Sequence, residues 1–164
     1  MAYNDDYILE LLVNSGRINS EQAQTVRAQA AANNRSAIDE TVAEGLCARN
    51  DILYDMASDS GMEFLPEIHH IDPEAAKLLD PSHARRYRVI PLEQTHTGIR
   101  VAISDPLDFE SIDALRHLLD MEIEPVVIPP DQIDAQIRAN YGSTDEARRR
   151  PPLPIRRRGS HPRR

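Results

Sequence analysis

One cysteine, Cys47, is all the thiol this chain carries, which excludes an internal disulfide and, with no CxxC pair, a cysteine-built zinc site. Long apolar runs are also missing. No stretch approaches the roughly 20 consecutive apolar residues of a membrane-spanning helix. The opening "MAYNDDYILELLVNSG" places Asp5, Asp6 and Glu10 where a secretory signal needs a basic start and an apolar run of about 7–15 residues. A cytoplasmic protein is expected. The six glycines are scattered, and none belongs to the GxxxxGK loop that cradles nucleotide phosphates. There is no GxSxG nucleophile turn, and Cys47 lies in "EGLCARND", where a buried, small apolar role suits it. Histidines 69, 70, 83, 96, 117 and 161 show no HxxxH spacing and read as surface or loop residues. The chain is therefore read as non-enzymatic, with no cofactor.

What is present is charge, unevenly spread. Eight of the 19 basic residues and two of the 27 acidic ones follow Gly142, so residues 1–141 carry a net −14 and the tail +6. An acidic globule with a basic tail repels polyanions over most of its surface, while the tail attracts them or folds back electrostatically.

The first 65 residues read as helices, since apolar residues recur at three- and four-residue spacing from Ile8, Leu11 and Leu12 to Ile18. Asn19 is placed to cap a helix running to Ala32, with Gln22 as capping-box partner, and Ser36 to cap a short one reaching about Glu44. Gly16 and Gly45 are expected helix stops, and a fourth helix from about Asn50 carries Ile52, Leu53, Met56 and Ala57 on one side before Gly61. Shifting the chain by 29 residues lays Val13 on Val42, Gly16 on Gly45, Glu10 on Asp39 and Ala28 on Ala57. The four helices are thus read as a duplicated helical hairpin.

Residues 66–142 change character. After the apolar stretch "MEFLPEI", "DPEAAKLLDPSHARRY" reads as a helical connector with Pro73 in a first turn and Pro81 as terminator. "YRVIPLE" and "GIRVAIS" read as a hairpin, followed by a helix from Asp108 to about Leu119, the strand "IEPVVI" and a helix from about Asp131 to Tyr141. The fold class is α+β: a small four-helix region, then a compact ββαβα two-layer sandwich, then a tail over 143–164. The hairpin's outer edge is expected to be open to a partner strand.

The segment "ISDPLDFESIDALR" concentrates Asp105, Asp108, Glu110 and Asp113, which raises the possibility of acid–base chemistry. Helix capping accounts for them more fully: Asp108 stands where an N-cap oxygen is wanted, ahead of Phe109, Ile112, Leu115, Leu118 and Leu119 at helical spacing.

The tail, "STDEARRRPPLPIRRRGSHPRR", is too polar and proline-rich to bury a core and is expected to be disordered. Arg148, Arg149, Arg150, Arg156, Arg157 and Arg158 flank PPLP, a pattern suited to attachment to an anionic membrane or nucleic acid, or to a proline-recognising domain.

Residues 84–142, with "YRVIPLE", a second strand running into "DPLDFESIDALR", and "EIEPVVIPPDQIDAQIRANYG", resemble the N-terminal domain of type II secretion and type IV pilus assembly ATPases. Residues 7–68, with "LLVNSGRINSEQ", look like the helical lead-in of the same domain. The resemblance implies a module that precedes a motor and docks on machinery protein, either the ATPase or an inner-membrane platform component, placing it in the cytoplasm or peripherally at that membrane. The phosphate-binding loop is absent, and the methionine start and arginine-rich ending lead us to expect a complete small protein rather than a fragment.

A subset of such domains is a cyclic di-GMP receptor with tandem motifs resembling RLGxxLVxxGxI followed by a helix ending in glutamine. This chain keeps Leu12, Val13, Gly16 and Ile18, but has Tyr7, Ile8 and Leu9 in place of arginine, leucine and glycine. Its second copy has Ser36, Ala37 and Ile38 there, with Arg35 one position early and Gly45 retained. The terminal glutamines are replaced by Ala30 and Asp59, with Gln29 adjacent to the first. The resemblance implies a degenerate nucleotide site at Leu12, Val13, Gly16, Ile18, Gln29, Arg35 and Gly45. A dianionic dinucleotide wants arginine forks and close backbone approach, which these replacements weaken.

Overall fold

The structure is a computed structural model whose described residues are 4–142. The tail and its arginines, Arg148 to Arg150 and Arg156 to Arg158, lie outside the described residues. Four helices come first: α1 (Asp5–Asn14), α2 (Ser20–Asn33), α3 (Ala37–Ala43) and α4 (Arg49–Asp59). The Asn19 capping box forms, with the Asn19 side chain accepting from the Gln22 backbone N–H and the Gln22 side chain accepting from that of Asn19. Ser36 accepts from the Asp39 N–H in the same way at the head of α3. Each cap satisfies amide donors that a helix start otherwise leaves orphaned.

The internal duplication is visible in the two glycine turns. After α1 the Gly16 N–H reaches the Val13 carbonyl and the Arg17 N–H that of Leu12; after α3 the Gly45 N–H reaches Val42 and the Leu46 N–H reaches Thr41. Both glycines are left-handed, at φ +76° and +70°. That conformation closes the helix and reverses the chain, and it is why glycine recurs there. Between the copies Asp5 at the head of α1, 8% exposed, accepts from the Ala37 N–H at the head of α3.

The second half holds a four-stranded sheet of order β1-β4-β3-β2, from β1 (Glu63–Phe64), β2 (Ile90–Gln94), β3 (Gly98–Ile103) and β4 (Glu122–Val127). The expected hairpin is β2 against β3, antiparallel, while β4 runs parallel to β3 through the crossover helix α7 (Phe109–Leu119). Strand β1 is an addition to the predicted order. The stretch "MEFLPEI" contributes two residues that pair parallel to β4, and the Leu65 N–H continues the ladder to the Val127 carbonyl.

Helices lie on both faces of the sheet, so the expected two-layer sandwich becomes three layers. On one face Ile99, Val101, Ile103, Ile123 and Val127 pack with Ile112 and Leu115 of α7 and with Leu53 and Ala57 of α4. On the other, Ile90, Ala102 and Val126 pack with Ile133 and Ile137 of α8 (Pro130–Tyr141). β3 can be buried on both sides because nearly every one of its residues is apolar, the pattern of an interior strand. The first half has its own core of Ile8, Leu9, Leu12, Ile18 and Val26, joined by Ile52 and Met56 of α4.

Two expectations are corrected. Pro81 does not end the connector helix but opens a second one, α6 (Pro81–Tyr87), with Asp80 as N-cap; Pro73 opens α5 (Pro73–Ala76) as expected. A proline fits the first turn of a helix as readily as it blocks continuation, so its place in the sequence served both readings. The outer edge of the hairpin is not free along its length, because the Asp72 N–H donates to the Leu92 carbonyl at 2.8 Å.

At Gly98 the neighbouring strand comes too close for any side chain. A Cβ there would stand 2.0 Å from the Glu122 carbonyl oxygen, whereas one at Gly16 would meet nothing within 4 Å. Gly98→Ala is expected to cost about 3 kcal/mol or more, from forced separation of β3 and β4. Gly16→Ala is expected to cost about 1 kcal/mol, from the left-handed backbone alone. Urea unfolding of both variants checks the order; equal costs would contradict the close approach.

Candidate functional site

The candidate site is the end of the helical region where the two glycine turns lie. Gly16 is held rigidly. The Asp55 carboxylate on α4 accepts from Arg17 Nε at 3.0 Å, from Arg17 Nη2 at 3.3 Å and from Ser15 Oγ at 3.0 Å. The two residues flanking Gly16 are thereby tied to α4. Asp55 is only 10% exposed as a side chain, so this bidentate pair is better shielded than an ordinary surface pair. The hydrogen bond and charge of Asp55, its largest causes, hold the Arg17 guanidinium above its ordinary range.

The seven residues expected to bind a nucleotide do not gather in one cavity. Leu12 and Ile18, 0% and 5% exposed, are core residues. Val13 alone of the seven lines an open groove of about 470 Å³ between α1 and α2, with Asp6, Leu9, Glu10, Ala23 and Arg27. Gly16 and Gly45 are exposed with open space above them. Gln29 buries its Oε1 with no hydrogen-bond partner among the described residues. Arg35 reaches back to the buried Glu40, 3.8 Å away, and Asn33 Nδ2 donates to the same carboxylate. Its charge is therefore partly spent within the chain.

Tyr7 and Asp59 escaped the sequence reading as a pair. Each was recognised as a departure from the motif, at the first position of one copy and the last of the other, yet they lie 52 residues apart. In the fold the Tyr7 hydroxyl donates to the Asp59 carboxylate, joining α1 to the end of α4. Burial first, then this hydrogen bond to an anion, pushes the Tyr7 phenol up to about 12. A carboxylate held at this position favours neither a phosphate nor any other anion.

Elsewhere three of the four acidic residues of 103–116 are engaged locally. Asp105 accepts from the Leu107 N–H, Asp108 accepts from the Ser111 N–H and hydroxyl at the head of α7, and Asp113 pairs with Arg116. Burial, reinforced by Asp51, raises the Cys47 thiol above its ordinary range, the opposite of an activated nucleophile. A second open groove, of about 680 Å³, lies between the β2–β3 turn and the end of α7 and is lined by His96, Arg116, His117 and Glu122. Among the described residues no group of three or more His, Cys, Asp or Glu is placed to hold a metal ion. No helix among them is long and apolar enough to cross a membrane.

Comparison with known proteins gives these arrangements a context. The MshEN domain model matches residues 60–147. The solved structure of MshE with cdg superposes with a TM-score of 0.74 at 26% identity, covering 82% of this chain and 98% of that one. The N-terminal domain of XpsE superposes with a TM-score of 0.60 at 18% identity, over 80% of this chain and 91% of that one, a likeness of fold. A curated relative, the type IV pilus assembly ATPase PilB of Acinetobacter baylyi, is 25% identical over 63 residues, 38% of this chain and 11% of that protein. This chain thus corresponds to a small part of that relative's length.

Tyr7 and Tyr141 should titrate late in an alkaline titration of the folded protein. Both phenols are pushed up to about 12, Tyr141 by burial. A folded pKa above the unfolded value of about 10 favours the neutral phenol, so this stability is complete below pH 10 and is lost as pH rises toward 12. Phenolate ultraviolet absorbance should show two late-titrating groups, and Tyr7→Phe should leave one while costing about 1 kcal/mol at neutral pH. A late step unchanged by Tyr7→Phe would contradict the Tyr7–Asp59 contact.

Proposed function

The chain belongs to the MshEN domain family, and from that premise we propose that it is a non-enzymatic docking module that recruits or regulates a secretion or pilus machine. The observation carrying this reading is the superposition on MshE, which extends over 98% of that chain and takes in both the helical region and the sheet. The local chemistry agrees with it. The densest run of carboxylates caps and flanks a helix, the thiol is held protonated, and the described grooves are open. Its partner is an ATPase of such a machine or the membrane platform on which that ATPase sits, which places the module in the cytoplasm, at or near the inner membrane.

A second reading, a cyclic di-GMP receptor, is favoured by one observation: the MshE structure on which this chain superposes with a TM-score of 0.74 is a structure with cdg. The retained Leu12, Val13, Gly16 and Ile18 also support it. Against it stand the Tyr7–Asp59 pair and the engagement of Arg35 by Glu40. The leading reading therefore treats the module as nucleotide-independent.

Affinity capture with the full-length protein from native lysate, with identification by mass spectrometry, should recover a secretion or pilus ATPase or its membrane platform; recovery of neither would sink the docking reading. Thermal unfolding should be unchanged by cyclic di-GMP. A receptor would instead gain RT ln(1 + [L]/Kd), about 2.7 kcal/mol at a hundredfold excess over Kd, and a saturable rise of that kind would replace the leading reading with the second.

A further inference from the structure

The basic residues of the described chain divide by where they lie. Arg17, Arg27, Arg35, Arg49, Lys77, Arg100 and Arg116 each lie within 4.0 Å of at least one carboxylate. Four others lie on two helices in contact with each other, Arg85 and Arg86 on α6, Arg88 at its C-cap and Arg138 in the last turn of α8. Arg85 Nη1 donates to the Tyr141 carbonyl at the end of α8, 3.3 Å away. Arg88, just past α6, holds Asp134 at 2.7 Å. Arg138 lies one turn after Asp134 and one turn before Tyr141, on the same side of α8. Arg86 lies over the Tyr87 ring, 5.4 Å from its centroid. Of these four guanidiniums only that of Arg88 lies against a carboxylate among the described residues, whereas the remainder of residues 1–141 is strongly acidic.

The same end of the molecule exposes apolar surface. The Tyr141 hydroxyl donates to the Ala76 carbonyl at 2.6 Å, bringing the end of α8 beside the α5–α6 connection. There Leu78 is 43% exposed, next to an exposed Lys77. Gly142, the C-cap of α8, lies at this corner.

We propose that the α6/α8 face binds an anionic lipid bilayer, with the guanidiniums at the headgroups, Leu78 at the interface and the acidic remainder of the domain turned away. A basic cluster bordered by an exposed aliphatic side chain suits a charged membrane surface. Nucleic acid fits less well, since the tyrosines here are only half-exposed and already engaged, Tyr87 by the Arg86 guanidinium and the His83 ring and Tyr141 through its hydroxyl on the Ala76 carbonyl, which leaves a poor platform for base stacking. The acidic body supplies the orientation, because any other face meets a negative surface with like charge. This inference does not depend on which machine the module serves.

Co-sedimentation of the full-length protein with phosphatidylglycerol-containing vesicles tests it, against pure phosphatidylcholine vesicles. Binding is expected to the anionic vesicles alone, to weaken as salt rises, and to fall by more than about tenfold in the Arg86→Glu/Arg138→Glu double variant. Both side chains are exposed, and the variant's thermal midpoint reports whether the fold is kept. A second full-length variant, with Arg148, Arg149, Arg150, Arg156, Arg157 and Arg158 changed to glutamine, separates tail from face. No sedimentation with anionic vesicles overturns the proposal, as does binding untouched by the double variant and abolished by the tail variant. Duplex DNA binding that depends on Arg86 and Arg138, in the absence of vesicle binding, overturns it in favour of a nucleic-acid surface. Because the vesicles contain no machine protein, failure here leaves the docking reading standing, and failure of affinity capture leaves this one.

Discussion

Helix α4 is the constraint on which the rest of the structure depends. Its Ile52 and Met56 complete the core of the helical region, while Leu53 and Ala57, one position further round the helix, complete the core under the sheet. All four are at most 3% exposed. A helix with two adjacent apolar stripes cannot bury both against a single neighbour, so the bundle and the sheet must each supply a wall. Burying four such side chains is worth several kcal/mol, at about 1.5–3 kcal/mol for each of the larger ones. That is comparable with the whole stability of a typical domain, about 5–15 kcal/mol. The outer side of α4 extends the same role, as Asp55 fixes the Gly16 turn and Asp59 accepts from Tyr7.

This arrangement explains what could be read before any coordinates. α1 to α4 announce themselves through caps and glycine stops whose chemistry is local: Asn19 with Gln22, Ser36 with Asp39, and left-handed turns at Gly16 and Gly45. The hairpin, α7, β4 and α8 were legible for the same reason, since their apolar periods are long enough to be unambiguous. β1 was not, because a two-residue strand has no period; it is a strand only because β4 offers it an edge. Pro81 was read the wrong way round because nothing local distinguishes a proline that stops one helix from a proline that starts the next. The third layer was invisible for want of any local sign that α8 would cross to the far side of the sheet.

The candidate site was less legible than the fold. Residues chosen from a motif divided by burial, Leu12 and Ile18 into the core, Gly16 and Gly45 to the surface, and Arg35 to an acid within its own turn region. The pairing of Tyr7 with Asp59 joins residues far apart in sequence, and no pattern along the chain encodes it. The basic face was hidden similarly: Arg85 and Arg88 are plain in the sequence, but their contacts with Tyr141 and Asp134 of α8 arise only when α6 meets α8. Surfaces of this kind are not specified by local propensity.

The central claim is that α4 makes one cooperative body of the helical region and the sheet. Hydrogen–deuterium exchange of the full-length chain and its Leu53→Ala variant tests this most directly, since Leu53 packs only in the core under the sheet. The account predicts that protection falls in β3 and β4 and, through α4, also in α1 and α2. A loss confined to the sheet, with α1 and α2 as protected as before, would contradict it.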